Sequence, residues 1–204
     1  MEVEIAELDL DQRSDLLGYL AGQIRWLPPA EQHPAFVHTA KAIVQLPREH
    51  QRVPLAALTG QIEHLPYAAR HQGLRRLVDA TARLRGAQQS ELLACLVSQI
   101  QWLPPAEQDP AVTRMSRAIA QLPREHRCAP LSALASQVGH LALEARPAAV
   151  TCTTNAIVRL PRAQRGKLFA ILDAHVTIPP ASEERGSHYA DHLRPDYADP
   201  RQRP

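Results

Sequence analysis

Apolar residues recur along this chain at a fixed interval of 19 residues. A leucine stands near the end of each unit, at Leu27, Leu46, Leu65, Leu84, Leu103, Leu122, Leu141 and Leu160. Three, seven and ten residues before these leucines lie further apolar columns, which begin at Ile24, Leu20 and Leu17 and continue to Val176, Leu172 and Phe169. Spacings of three and four residues place such positions on one side of an α-helix. Each unit is therefore predicted to be one amphipathic helix of about three turns and a short turn.

Prolines mark the predicted turns. Proline follows six of the eight leucines, and Arg85 and Ala142 take its place after the other two. Because proline cannot continue the helical hydrogen-bond ladder, it ends a helix or begins a new one. The segments 29–33 (PAEQH) and 48–53 (REHQRV) are predicted to be single turns or tight loops rather than parts of a continuous helix. A second proline is then predicted to open several helices, at Pro34, Pro54, Pro110 and Pro130.

A longer period is superimposed on the 19-residue one. The residue before each terminal leucine runs Trp, Gln, His, Arg and then repeats, and residues 13–88 and 89–164 are identical at 37 of 76 aligned positions. The chain is therefore predicted to be all-α: an α-solenoid of about nine short helices. Its 19-residue units pair into 38-residue helical hairpins, and a four-helix block is duplicated. A closing helix is expected at 166–177.

The two ends differ from the repeat domain, which is assigned to residues 13–178. Residues 1–12 are acidic and are predicted to form a cap strand or a first turn. Residues 179–204 have no apolar periodicity and mix Pro, Asp and Arg, so they are predicted to be a disordered C-terminal tail.

Composition limits the partners and the compartment. The chain has 23 basic and 21 acidic residues, which predicts no strong attraction to nucleic acid or to an anionic membrane. No apolar run approaches the roughly 20 residues of a membrane helix, and the acidic start does not resemble a secretory signal. A soluble, cytoplasmic protein is expected, and export into a host cell without a cleaved signal peptide stays an alternative.

The residues that could carry chemistry do not form a known catalytic or metal-binding motif. Ten histidines and three cysteines occur, but HExxH, GxSxG, P-loop and dinucleotide-binding patterns and CxxC pairs are absent from the sequence. The duplicated pairs His50 and His126, and His64 and His140, are expected to lie far apart along the solenoid and not to converge. We therefore predict no catalytic residue, no metal site, no cofactor and no enzymatic activity.

Two features suggest a binding surface, and each has a structural alternative. Trp26 and Trp102 could cover the seam between helices or could anchor a partner. The outer positions of the odd-numbered helices are mostly small, and either crowding between helices or a bound segment would explain that. The candidate partner-binding residues are Arg25, Trp26, Arg48, Glu49, His50, Glu63, His64, Gln101, Trp102, Arg124, Glu125, His126 and His140.

The function predicted from these features is a non-enzymatic protein–protein interaction module. The alternative is a nucleic-acid-binding repeat protein, because helical repeats can read one base per unit with two or three side chains. Small net charge and only four paired units count against that alternative.

Two phrases carry a family resemblance: residues 55–70 (LAALTGQIEHLPYAAR) and 42–51 (AIVQLPREHQ). They resemble the Ile-x-x-Leu-Pro-x-x-x-Arg helical repeats of some effector-like proteins of Gram-negative bacteria that use type III secretion. The resemblance covers about residues 13–178 and implies a protein that is delivered into a host cell and binds host or bacterial proteins. The chain departs from this family in two ways. Five residues after the leucine, Arg stands only at Arg70, Arg127, Arg146 and Arg165, with Gln at the other positions. The acidic N-terminus also lacks the Ser-rich character expected of a type III export signal.

Overall fold

The computed structural model describes residues 8–176, and in that range the chain is helical, with no β-strand. Nine α-helices are present there, which confirms the predicted all-α class and helix number. They are α1 Leu10–Gln23, α2 Pro29–Gln45, α3 Arg52–Thr59, α4 Arg70–Thr81, α5 Gly86–Ser98, α6 Pro105–Gln121, α7 Cys128–Gln137, α8 Arg146–Val158 and α9 Arg162–Val176.

The helices form two layers. The odd-numbered helices pack side by side from α1 to α9, the even-numbered helices pack side by side from α2 to α8, and consecutive helices join the layers as hairpins. Each helix therefore packs chiefly against helices one and two places away in sequence. A core built from such near-neighbour contacts is typical of repeat proteins, in which no single pair could bury its apolar side alone.

Each predicted helix end is closed in the same way. The last turn is short, and the N–H of the terminal leucine donates to the carbonyl three residues earlier at all eight junctions, over 3.0–3.4 Å. The leucine itself is extended, with ψ near 155° at Leu27 and Leu46. The extended conformation is expected before proline, because a following proline ring disfavours helical backbone.

A side chain five residues beyond the leucine then satisfies the leucine carbonyl. Such a bond is found at every junction of residues 8–176 except the one after α4. The donors are Gln32, Gln51, Arg70, Gln108, Arg127, Arg146 and Arg165, at 2.6–3.2 Å from the leucine oxygen. Gln and Arg both occur at this position because either can supply an N–H, so the two residue types perform one structural role.

The missing proline at Ala142 has a structural reason. Ala142 keeps its backbone N–H, which donates to Oε1 of Gln108 over 2.7 Å, while Nε2 of Gln108 donates to the Leu103 carbonyl. One glutamine therefore bridges two successive turns on the same side of the array, a bond that a proline could not make.

The prediction for Pro34 and Pro110 was wrong. Both prolines lie inside continuous helices, α2 and α6, which begin five residues earlier at Pro29 and Pro105. The segment 29–33 is thus the first turn of α2 rather than a separate turn. Pro34 lies in the second turn of α2, where it removes the hydrogen bond that its own N–H would donate to the Ala30 carbonyl. The other two prolines, Pro54 and Pro130, do lie in the first turn of their helices, as predicted.

The predicted apolar columns form the core except near its ends. Phe36, Leu55, Leu93 and Ile100 are among the fully buried side chains. Leu20 on α1, in contrast, is 39% exposed, because Ala21 takes the inward position on this first helix. Val176 at the end of α9 is also exposed. The core columns therefore hold in the middle of the array, where each helix has neighbours on both sides.

The first helix begins inside the segment that was assigned to the acidic N-terminus. Asp9 caps α1 by accepting from the N–H of Gln12, whose side chain accepts in return from the N–H of Asp9. Arg13 donates through Nε to the carbonyl of Leu8, five residues earlier, so the junction pattern extends back to Leu8. At the other end, α9 starts four residues before the predicted 166. The rest of the acidic segment and the predicted tail 179–204 lie outside the described residues.

Candidate partner-binding edges

All thirteen candidate residues lie on 3₁₀ turns at helix ends. Because consecutive helices run antiparallel, these turns fall on two edges of the array. The tryptophan edge consists of the turns that end the odd helices, Ile24–Trp26, Ile62–His64, Ile100–Trp102 and Val138–His140. The REH edge consists of the turns Arg48–His50 and Arg124–His126, which follow α2 and α6, together with residues 82–88 between them.

The tryptophans of the tryptophan edge project into solvent. Trp26 is 71% exposed and Trp102 is 43% exposed. Trp26 is therefore not mainly a cover for a helix seam, whereas more than half of Trp102 is buried against the protein. The guanidinium carbon of Arg25 lies 4.7 Å from the centre of the Trp26 ring, so the two side chains form one stacked, solvent-facing unit.

A residue that the sequence interpretation did not include joins two turns of this edge. Arg70 donates through Nε to the Leu65 carbonyl and through Nη1 to the Trp102 carbonyl over 2.8 Å. Its guanidinium also lies 5.4 Å from the ring centre of Tyr67, which is 53% exposed. Tyr67 and Arg70 thus extend the aromatic surface from one hairpin to the next. The sequence feature that could have identified Arg70 is its position five residues after Leu65, where the repeat pattern has arginine.

The remaining candidates on this edge make local contacts. Nε2 of His64 lies 3.4 Å from Oε1 of Glu63, and both side chains are partly exposed. Gln101 is half-buried. His140 is exposed, with its ring centre 6.2 Å from that of His175 on α9. These side chains are accessible, but they are not gathered into a catalytic arrangement.

The REH edge is held to the odd layer by a duplicated contact. Ser14 on α1 donates to the His50 carbonyl over 2.8 Å, and Ser90 on α5 donates to the His126 carbonyl over 2.7 Å. The two blocks therefore fix their REH turns identically. One difference is that Nδ1 of His50 also lies 3.1 Å from a carboxylate oxygen of Asp11.

The two REH turns border one open cavity of about 500 Å³. Arg48 and Glu49 of the first turn and His126 of the second line it, together with the start of α5 at Arg85 and Gly86. Both REH turns border this cavity because they follow α2 and α6, and the loop after α4 lies between them. His50 is not among the lining residues, so the cavity does not contradict the prediction that His50 and His126 do not converge. Glu125 and Arg124 are exposed outside this cavity.

Replacing Gly86 by alanine is expected to destabilise the protein by about 1–2 kcal/mol, because a side chain at positive φ is strained. Gly86 has φ +25°, and an added Cβ would lie 2.7 Å from Nε2 of His126. Urea unfolding followed by circular dichroism measures the change. Gly22→Ala is the matched control: nothing lies within 4 Å of its Cβ position in α1, so it should stabilise by up to about 1 kcal/mol. Equal effects of the two substitutions would contradict this assignment.

The small residues of the odd helices are explained in part by crowding. A Cβ on Gly18 of α1 would lie 3.8 Å from Cα of Pro54 on α3, and one on Gly139 would lie 2.8 Å from the carbonyl oxygen of His175. The backbone of α9 therefore leaves no room for a side chain at Gly139, whereas the 3.8 Å at Gly18 is an ordinary contact that a methyl group could make. Gly22 and Gly60 have no such neighbour from another helix, and the structure gives no packing reason for them.

Within the described range, no three His, Cys, Asp or Glu side chains are grouped closely enough to hold a metal ion. Cys95 is exposed, and Cys128 and Cys152 are half-buried free thiols. No helix of residues 8–176 has the length and apolar character needed to cross a membrane.

Comparison of the chain with protein-family models, with curated proteins and with solved structures returns no match.

Proposed function

We propose that this protein is a non-enzymatic interaction module that binds another protein through the tryptophan edge. The observation that carries the proposal is the exposure of Trp26, a large apolar side chain that is 71% exposed with Arg25 stacked on it. Tryptophan and arginine are the residue types most enriched at binding hot spots, where they are buried by the partner.

The repeat gives this edge a second anchor at a fixed distance. Trp26 and Trp102 occupy equivalent turns after α1 and α5, which are two odd helices apart. Neighbouring packed helices are about 8–10 Å apart, so the two tryptophans lie on the order of 20 Å apart along the edge. A partner that contacts both must present a surface at least that long, which suits a folded protein or a long helix.

The resemblance to type III effector-like repeat proteins adds a narrower proposal, namely that the partner belongs to a host cell. In this narrower proposal the tryptophan edge binds the host protein, and it has no role in secretion. Nucleic-acid binding is the competing function, and it makes a different prediction in the same experiment.

The double variant Trp26→Ala/Trp102→Ala is expected to weaken partner binding by at least tenfold without unfolding the protein. Truncating a hot-spot residue typically costs about 2 kcal/mol or more of binding free energy, and exposed side chains contribute little to the core. Full-length protein would capture partners from nuclease-treated host lysate. One captured protein would then be purified, and its Kd would be measured by titration calorimetry against wild type and variant.

Tyr19→Ala is the control for this experiment. Tyr19 is an aromatic residue of α1 that is 64% exposed but lies outside the tryptophan edge. It should leave the Kd within about twofold of wild type. If the Tyr19 variant lost as much affinity as the double variant, or if capture disappeared on nuclease treatment, the proposed edge would not be the protein-binding surface.

A further inference from the structure

Three open grooves run between successive even helices. The first, between α2 and α4, has a volume of about 220 Å³; the second, between α4 and α6, about 530 Å³; and the third, between α6 and α8, about 200 Å³. We refer to these three together as the even-layer grooves. They lie on helix sides, whereas the tryptophan edge and the REH edge lie at helix ends.

The first and third grooves are cationic. Lys41 and Arg83 line the first, and Arg159 lines the third together with Arg117. All four side chains are exposed, and none of them forms an ion pair within residues 8–176. Arg76, also in the first groove, has a buried Nε without an acceptor in that part of the chain. Asp79 is the one carboxylate among the residues lining these two grooves, so positive charge is in excess in both.

The second groove joins the other two. Arg117 lines both the second and the third groove, and Asp79 lines both the first and the second. Arg75 and Arg114 add two cations to the second groove, where Arg114 lies 3.4 Å from a carboxylate oxygen of Asp79. Asp79 and Asp109 are the two carboxylates among the residues lining the three grooves, against eight lysines and arginines.

This surplus is local. The chain as a whole has 23 basic and 21 acidic residues, so positive charge concentrated on the even layer is not a consequence of composition. A cleft lined by one sign of charge raises the local concentration of ligands of the opposite sign. Aliphatic side chains such as Val37, Val44 and Val78 lie in the same grooves, which suits a ligand with both carboxylates and apolar atoms.

We infer that the even-layer grooves bind an acidic peptide segment of a partner protein, with one carboxylate in each groove. This goes beyond the proposed function, because it assigns a second surface and holds whether or not the tryptophan edge binds a partner. A peptide is favoured over nucleic acid because no Trp, Tyr or Phe lines the described grooves to stack on bases.

The spacing of the helices specifies the peptide further. Packed helices lie about 8–10 Å apart, so the grooves repeat at about that interval. A polyproline II segment rises about 3.1 Å per residue with three residues per turn, which puts every third side chain on one side at intervals of about 9 Å. A proline-rich segment with Glu or Asp at every third position therefore matches the grooves one for one.

The test uses the full-length protein and fluorescein-labelled peptides in anisotropy titrations at low salt. The probe is a 12-residue peptide of four Glu-Pro-Pro repeats, and its controls are four Gln-Pro-Pro repeats and a peptide of the same composition with the four Glu adjacent. We expect binding of the probe, at least tenfold weaker binding of the Gln peptide, and at least threefold weaker binding of the clustered peptide. No binding of the probe would overturn the inference, and equal binding of the clustered peptide would overturn its one-carboxylate-per-groove register.

Two triple variants locate the binding surface. Arg83→Glu/Arg117→Glu/Arg159→Glu reverses exposed groove charges and should weaken probe binding at least tenfold. The control Arg48→Glu/Arg124→Glu/Arg162→Glu makes the same change in net charge at exposed arginines outside these grooves and should stay within threefold of wild type. Equal losses in both variants would show attraction by net charge alone and would overturn the inference.

Two further measurements separate this inference from other possibilities. The Trp26→Ala/Trp102→Ala variant should bind the acidic probe like wild type, so a failure of the proposed function is distinguishable from a failure here. A 12-nucleotide oligo-dT should bind at least tenfold more weakly than the peptide. If oligo-dT bound as tightly and lost affinity with the groove variant, the grooves would be a nucleic-acid site and the peptide inference would be wrong.

Discussion

Replacing Phe36 by alanine is expected to lower the free energy of unfolding by about 3–5 kcal/mol, the range typical of a fully buried aromatic residue. Phe36 on α2 is 0% exposed and is one of only two phenylalanines in the chain. Its ring lies 3.4 Å from the position that a Cβ on Gly73 of α4 would occupy, so it fills the space between two even helices. Removing it would leave a cavity that a rigid pair of helices could not close.

The second phenylalanine supplies the control. Phe169 on α9 is partly exposed at the end of the described array, so Phe169→Ala should cost clearly less than Phe36→Ala. Both values would be obtained from urea unfolding followed by circular dichroism. Similar losses at the two positions would show that Phe36 does not have the core role assigned to it.

The near-neighbour packing of the helices predicts how Phe36→Ala should unfold. Helices α6–α9 make their principal contacts with one another and with α4 and α5, not with α2. In such arrays stability is close to a sum of unit and interface terms. Hydrogen exchange should therefore show lost protection in α1–α4 and retained protection in α6–α9. Uniform loss along the chain would indicate a single cooperative unit instead.

Replacing Gln51 by alanine is expected to cost about 2–3 kcal/mol, because the buried carbonyl of Leu46 and the part-buried carbonyl of Val44 would lose their donor. Nε2 of Gln51 lies 2.6 Å from the Leu46 carbonyl oxygen and 3.2 Å from that of Val44, and the residue is 2% exposed. The bond to Leu46 ties the end of α2 to the start of α3. Thermal and urea unfolding of the variant measure the loss.

The duplication provides the matched substitution for this prediction. Arg127 is the residue equivalent to Gln51 in the second block, and its Nε lies 2.7 Å from the Leu122 carbonyl oxygen. Gln51→Arg keeps a donor for the leucine carbonyl and should recover most of the stability that Gln51→Ala loses. If arginine were as destabilising as alanine, filling of space rather than donation to the carbonyl would explain the role of Gln51.

The helices themselves could be predicted because the apolar residues that they bury recur at regular spacings in the sequence. Columns spaced three and four residues apart, such as the one that contains Leu58 and Leu96, require one buried helix side, and both leucines are fully buried. The same logic failed at Leu20, where the neighbouring Ala21 is the buried residue. Periodicity in sequence does not reveal which helix has a neighbour on only one side.

Proline and the junction side chains show what the pattern could not predict. The second proline of α2, Pro34, was interpreted as a helix start because proline is common there, but Pro29 already occupies that position. The Gln and Arg residues five positions after each leucine looked like a degenerate motif. Their common role as donors to the leucine carbonyl is seen only in the structure, where, for example, Nε of Arg70 lies 3.0 Å from the carbonyl oxygen of Leu65.

The candidate site was predictable only in part. The exposed tryptophans and REH turns were found because they recur in both blocks. The even-layer grooves were not, although half of their cations recur 76 residues apart, Lys41 with Arg117 and Arg83 with Arg159. Arg75 and Arg76 do not recur, since Thr151 and Cys152 stand at the equivalent positions. Charge that accumulates across helices 38 residues apart is a property of the packed layer, and it becomes visible only after folding.

The junction bond has a consequence for how such a chain can change over generations. Every described turn except the one after α4 is completed by a donor and an acceptor only five residues apart, as with Arg165 and Leu160. A 38-residue hairpin therefore contains both partners of its junction hydrogen bonds. When the corresponding stretch of gene is duplicated, the new helices already have these bonds at their ends. The length of the array can then grow or shrink by whole hairpins, while substitutions on the exposed sides leave the bonds at the turns unchanged.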